Sequence, residues 1–186
     1  MEQHYRKIVK DTERRVIAAM QCQITETGNC RCGGFRDGTG IVQAKYAIYQ
    51  VAPVIAAYCC PDSTFYRNEK IYARILLGLD YIRSVQHENG LFDYITCNFF
   101  SAPDTAFCLK KLLPVYQYLR GKTTAGNQEN FGKTTAEEQE IHRRLEEIIK
   151  DGANGMLLGG FHTPNHRWAI ASILMACSRY FDSERM

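Results

Sequence analysis

No stretch of this chain stays apolar long enough to cross a membrane. Its longest apolar run, IYQVAPVIAAYCC at residues 48–60, is broken by Gln50 and Pro53 and falls short of the roughly 18 residues that a span requires. The N-terminus, MEQHYRKIVKDTERR, lacks the apolar core of a signal peptide. A cytoplasmic protein with no membrane partner is therefore expected. A strong charge of one sign is missing too: the net charge is +3. The densest basic clusters, HYRK at 4–7 and HRR at 142–144, are short and flanked by acidic residues. Such mixed runs read as solvated helix faces, so nucleic acid is not an expected partner.

Metal-ligand spacing is also absent. The eight cysteines are scattered over positions 22, 30, 32, 59, 60, 97, 108 and 177, and Cys30-x-Cys32 has no matching second pair. Zinc sites use paired C-x-x-C or H-x-x-x-H spacings, so reduced structural thiols are expected, with no metal and no cofactor. A phosphate loop is missing as well. GNQENFGKT (126–134) has one residue too many between its glycines and follows a helix instead of a strand. Convincing alternation of apolar and polar residues, the mark of a half-buried strand, is not found either.

What the chain does have is helical periodicity. Its 186 residues are 45% hydrophobic and 23% charged, an ordinary globular balance for one domain with a sizeable core. The pattern predicts helices near 3–21, 41–59, 65–86, 103–120, 135–151 and 165–181. The third is the clearest, with Ile71, Ile75, Leu79 and Ile82 at helical spacing and Asn89-Gly90 as its stop. Ser101, Pro103 and Asp104 form a helix start for the fourth, and Thr163-Pro164 for the sixth. The polar segment 121–135 is expected to be a mobile loop.

Six helices make three pairs, and a glycine-phenylalanine signature recurs in their loops: Gly33-Gly34-Phe35, Gly90-Leu91-Phe92 and Gly159-Gly160-Phe161. A long period of helix, glycine loop, helix marks an array of helical hairpins. Such an array sets its loops along one rim. That rim would carry Arg36 and Asp37, then Asp93, Asn98 and Asp104, then His162, Asn165, His166 and Arg167. The third loop opens an apolar helix, whose free N–H groups and dipole favour an anion. An Asn amide can donate to a carboxylate, a His titrates near neutrality, an Arg forks a carboxylate, and a Trp offers a face to a sugar ring. Together they suit an acidic carbohydrate.

On two stretches, QHENGLFDYITCNFFSAPDTAF (86–107) and GGFHTPNHRWAIAS (159–172), the chain resembles the heparinase-like polysaccharide lyases and their bacterial relatives. The resemblance implies an all-α fold of three helical hairpins forming an incomplete (α/α) toroid, half a ring in a single domain over 1–186. It also implies β-elimination on uronic-acid saccharides: a base takes the C5 proton, an amide neutralises the carboxylate, and the C4 oxygen leaves. Asn165 or Asn98 would neutralise, and His166 or His162 would act as base. Arg167, Trp168, Asp93, Asp104 and Phe99 would bind the acidic oligo- or polysaccharide. The open flank of a half ring would be covered by a homodimer. Two other readings compete: a toroid hydrolase of the unsaturated-glucuronyl type, with Asp93 and Asp104 as acid and base, and a non-catalytic binding scaffold.

Overall fold

The computed structural model describes residues 2–124, 134–158 and 163–181. Among these are α1 (Glu2–Cys22), α2 (Ala44–Cys59), α3 (Glu69–Ser84), β1 (Phe92–Tyr94), β2 (Asn98–Ser101), α4 (Ala102–Thr124), α5 (Ala136–Met156) and α6 (Pro164–Cys177). The fold is mostly helical, and all six expected helices are present. The chain divides into two compact units, Met1–Ile82 and Arg83–Met186, a finer division than the single domain expected from length.

In the first unit α1 packs on α2, which buries Ala47, Ile48, Val51, Ile55 and Tyr58. α3 starts later than its periodicity suggested. Residues before it form turns, and Asn68 caps it by accepting from the Lys70 and Ile71 amides at 3.0 and 3.2 Å. The loop between α1 and α2 is pinned by glycine. Gly33 has φ +87°, and a Cβ there would sit 1.9 Å from the Leu77 carbonyl oxygen of α3. The Gln23 amide nitrogen donates to the Gly33 carbonyl (3.1 Å) and to the Arg74 carbonyl (2.9 Å), clasping loop to helix.

The second unit repeats this device. Gly90 has φ +82°, and its missing Cβ would lie 1.9 Å from the Asp151 carbonyl oxygen of α5. The Gln86 amide donates to the Gly90 carbonyl at 2.8 Å and the Ile148 carbonyl at 3.0 Å. Each clasp has its buried phenylalanine, Phe35 or Phe92. Each has a helix glycine just past the contacted carbonyl, Gly78 or Gly152. The recurrent glycine-phenylalanine signature is thus a recurrent backbone contact in two loops; Gly159-Gly160-Phe161 lies outside the described residues. Gln86 also explains where α3 stops. The helix ends at Ser84, not at Asn89-Gly90, and the turns after it bring the Gln86 amide to its two carbonyls.

Two expectations about local structure change. Residues 92–101 form a short antiparallel hairpin, β1 with β2, where no strand was foreseen. Also, 121–124 is not loop: α4 runs on to Thr124. The cause is a buried ion pair. Lys122 Nζ lies 2.8 Å from Glu138 Oε1, the two side chains 2% and 0% exposed. Glu138 also closes a capping box with Thr135 at the start of α5. Residues 125–133 of that segment lie outside the described residues.

The core of the second unit forms where α4 packs on α5 and α6. Within it the His142 ring stacks on Tyr116, centroids 4.8 Å apart. Its Nε2 is buried without a partner. Burial pushes the imidazole below its ordinary 6.5, against the opposing pull of Glu146. The unfolded chain therefore takes a proton that the folded chain refuses, so stability falls as pH drops below about 6.5. Denaturant unfolding should show this loss setting in as pH falls through about 6.5, and His142→Phe should flatten it. A second expectation concerns the clasp. Gly90→Ala combines strained φ with a backbone collision and should cost about 3 kcal/mol or more. Gly28→Ala, at φ +87° in open space, should cost about 1 kcal/mol in the same assay.

Candidate functional site

The described site residues outside the first unit gather around two helix starts, those of α4 and α6. At α4, Ser101 is the cap expected from sequence. Its Oγ accepts from the Asp104 amide at 3.2 Å and donates to Asp104 Oδ2 at 2.6 Å. Asn98 Nδ2 donates to Ser101 Oγ at 2.9 Å. Thr105 continues the network, donating to the Ser101 carbonyl at 2.7 Å and accepting from the Phe92 amide at 2.9 Å. Asp104, 9% exposed, is therefore part of a buried helix cap.

Ahead of the cap lies the hairpin, joined to α3 by the Gly90 turn. That turn is closed by Gly90 N–H to the His87 carbonyl (2.8 Å) and His87 N–H to the Leu91 carbonyl (3.0 Å). It brings His87 back onto Asp93. His87 Nε2 is 2.8 Å from Asp93 Oδ1, without hydrogen-bond alignment. The Phe100 amide donates to the same carboxylate oxygen at 2.7 Å. Phe100 adopts φ +50°, a left-handed backbone that a bulky residue rarely takes. Its ring lies against His87 with centroids 4.2 Å apart. Phe99 and Phe100 remain 64% and 54% exposed, an apolar shelf at the hairpin. Tyr94, the tyrosine nearest the candidate loops in sequence, sits half-buried in β1.

At α6, Thr163 occupies the cap position in extended backbone, yet its side chain does not cap the helix. Its hydroxyl instead donates to Asn165 Oδ1 at 2.6 Å. That bond occupies the acceptor end of the Asn165 amide and leaves its NH2 as the outward donor. His166 follows, edge-on to Phe107 of α4 with centroids 6.3 Å apart. This contact sets the α6 start beside α4, whose cap lies just ahead of Phe107. Asn165 and Arg167 are exposed, and Trp168 is 77% exposed. His162 lies outside the described residues.

Not every candidate joins this group. Arg36 and Asp37 belong to the first unit. There Asp37 Oδ1 accepts from Thr39 N, Thr39 Oγ1 and Ile41 N at 2.7–3.0 Å. The Thr39 hydroxyl, more than any other group, holds its carboxyl below the usual range. This carboxylate builds a turn. A cleft of about 440 Å³ beside Gly90, lined by Glu88, Asn89, Asp151, Asn154 and two leucines, is acidic and suits an anionic sugar poorly. Among the described residues no group of three or more His, Cys, Asp or Glu is arranged to hold a metal ion. Nor, among them, is any helix long and apolar enough to cross a membrane.

Sequence reading missed His87, Phe100 and Phe107. The signal for His87 was available: His and Asp stand on either side of an Asn-Gly turn, which folds flanking positions together. No protein-family model, curated protein or solved structure matches this chain. Its chemistry is read from the residues themselves. Ser101→Ala removes a cap and leaves Asp104 buried with fewer partners. It should lower stability by about 1–2 kcal/mol in denaturant unfolding, whereas the exposed Phe99→Ala should change stability little.

Proposed function

We propose that the second unit binds uronic-acid-containing oligo- or polysaccharides and cleaves them by β-elimination, on a scaffold of helical hairpins forming an incomplete (α/α) toroid. The carrying observation is the Thr163–Asn165 hydrogen bond, which aims the Asn165 NH2 outward beside His166. Asn165 is the better of the two candidate neutralisers because one N–H of the Asn98 amide is already engaged by Ser101. A uronate carboxylate bound at Asn165 would also meet the first-turn N–H groups of α6, which the Thr163 side chain leaves uncapped. Neutralising it is the main task, because the C5–H acid is too weak while its carboxylate keeps full charge.

In this reading His166 takes the C5 proton and Arg167 engages the carboxylate of a neighbouring sugar. Trp168 and Phe99 supply apolar faces for the rings. The reading places the protein in the cytoplasm as a homodimer that covers the open flank of its helical array. Hydrolysis by Asp93 and Asp104 is less well supported. Asp104 is locked into a buried cap, and Asp93 is held by His87 and the Phe100 amide. A scaffold that only binds would use the same aromatic faces and would not need the His166 imidazole.

Elimination leaves a C4=C5 double bond conjugated with the carboxylate, which absorbs in the ultraviolet. Incubated with a panel of uronic-acid polysaccharides, the wild-type protein should give a steady rise. His166→Ala should slow it by about a hundredfold or more, and Asn165→Ala by a similar factor. A flat trace from folded wild type across the panel would sink the elimination reading. Retained saccharide binding would then favour the scaffold.

A further inference from the structure

Where α1 packs on α2 in the first unit, the two helices do not close fully. On the α2 side the facing residues are small: Ala56, Ala57 and, just past the helix, Cys60. On the α1 side Ile8 and Val9 stand over them. A notch of about 160 Å³ with mostly apolar walls is left between. Tyr5 and Ile8, which line it, stay 45% and 50% exposed. An apolar cavity of about 150 Å³ takes a benzene-sized group, because its walls otherwise lack partner atoms.

A polar groove of about 650 Å³ adjoins the notch, and Tyr5 and Val9 belong to both. The Tyr5 hydroxyl stands between them. It donates to Asp62 Oδ2 in the groove at 2.7 Å and lies 3.5 Å from Cys60 Sγ in the notch. Asp62 and the notch are therefore no further apart than two hydrogen bonds laid end to end. Cys60 and then Asp62 push the phenol well above its ordinary range, so Tyr5 stays a donor at neutral pH.

Five charged side chains line the groove, and three of them are engaged. Arg6 pairs with Glu2 at 2.5 Å. Glu13 Oε1 accepts from the Thr64 amide at 2.6 Å and the Thr64 hydroxyl at 2.9 Å. The Thr64 amide, more than any other group, holds the Glu13 carboxyl below its usual range, and Lys10 adds a little from nearby. Among the described residues the Lys10 ammonium makes no hydrogen bond or salt bridge, and Asp62 Oδ1 accepts no hydrogen bond. One open cation and one open anion thus line the groove beside an apolar notch. A simple anion there would meet Asp62, and a simple amine would meet Lys10. A zwitterion with an apolar group close to its two charges complements all three features.

We propose that this side of α1 binds a free α-amino acid with an aromatic or branched apolar side chain. The side chain fills the notch against Ala56, Ala57 and Cys60. The α-ammonium sits on Asp62 Oδ1 and the carboxylate on the Lys10 ammonium, both as charge-assisted hydrogen bonds. The short reach from Asp62 to the notch suits a side chain that starts one bond from the carbon between the two charges. The site lies within the first unit and is independent of the elimination reading.

Calorimetric titration of the whole protein with L-phenylalanine or L-leucine should show saturable binding below about 10 mM. Phenylacetate and phenethylamine each lack one charge and should bind about tenfold more weakly or worse. Glycine, with nothing to place in the notch, should bind as poorly. Lys10→Met and Asp62→Asn should each weaken phenylalanine binding by about tenfold or more. Ala56→Leu fills the notch from an exposed helix position and should weaken it as much with stability unchanged. That variant leaves both charges and the Tyr5 contact intact, so it stands even if Asp62→Asn folds poorly. No saturable binding of either amino acid to folded wild type would overturn the site. So would equal binding of phenylacetate or phenethylamine, or binding that any folded variant of the three leaves unchanged. Binding of a peptide with an internal phenylalanine in place of the free amino acid would overturn it in favour of a protein-docking groove.

Discussion

The arrangement rests on a side-chain amide that holds two backbone carbonyls from separate segments. In each unit a glutamine past the end of one helix reaches the glycine loop and a later helix. The contact is possible only because glycine lets two backbones meet where a Cβ would overlap a carbonyl oxygen. One NH2 thereby ties a loop carbonyl to a helix carbonyl in each unit. The clasp at Gln86 sets the turn that returns His87 onto Asp93 and launches the hairpin toward Ser101. The site is thus tied to the scaffold through one amide and one glycine.

The network that follows is economical in residue types. Ser101 Oγ accepts from Asn98 and from the Asp104 amide while donating to the Asp104 carboxylate. Asp93 serves His87 and the Phe100 amide. Carboxylates that look like acid–base candidates in the bare sequence are thereby given positional work, and the groups left facing outward are amides, imidazoles and aromatic rings.

Much of the fold was legible in the sequence, and the reasons are specific. Apolar residues at helical spacing located all six helices, because a helix that packs on one face must show its period. The glycine-phenylalanine signature marked loops whose contacts do repeat in the two units. Helix ends were less legible. α3 stops at Ser84 because of where Gln86 must point, and α4 continues to Thr124 because Lys122 finds Glu138 across a gap in sequence. Neither partner is visible from local composition. The hairpin was missed since β1 is three residues long, too short for alternation to register. The Ser101 cap and the placing of Asn165 and His166 in the first turn of α6 were legible from helix-start chemistry. Which end of the Asn165 amide faces out depends on a hydrogen bond, and that depends on coordinates.

α6, like α1, buries few of its own residues. Of its apolar residues only Ile173 and Cys177 are buried, while Trp168 and Met175 are largely exposed. A helix that buries so few residues can open at less free energy than its whole unit needs to unfold. Its first turn carries Asn165, His166 and Arg167, so those groups hold their geometry only for the share of time that the turn is formed. A saccharide binding there would have to complete the folding of its own receptor. Measured affinity would then understate the strength of the contacts by the free energy of ordering that turn. Covering α6 with a second surface would tighten binding without touching a single ligand contact.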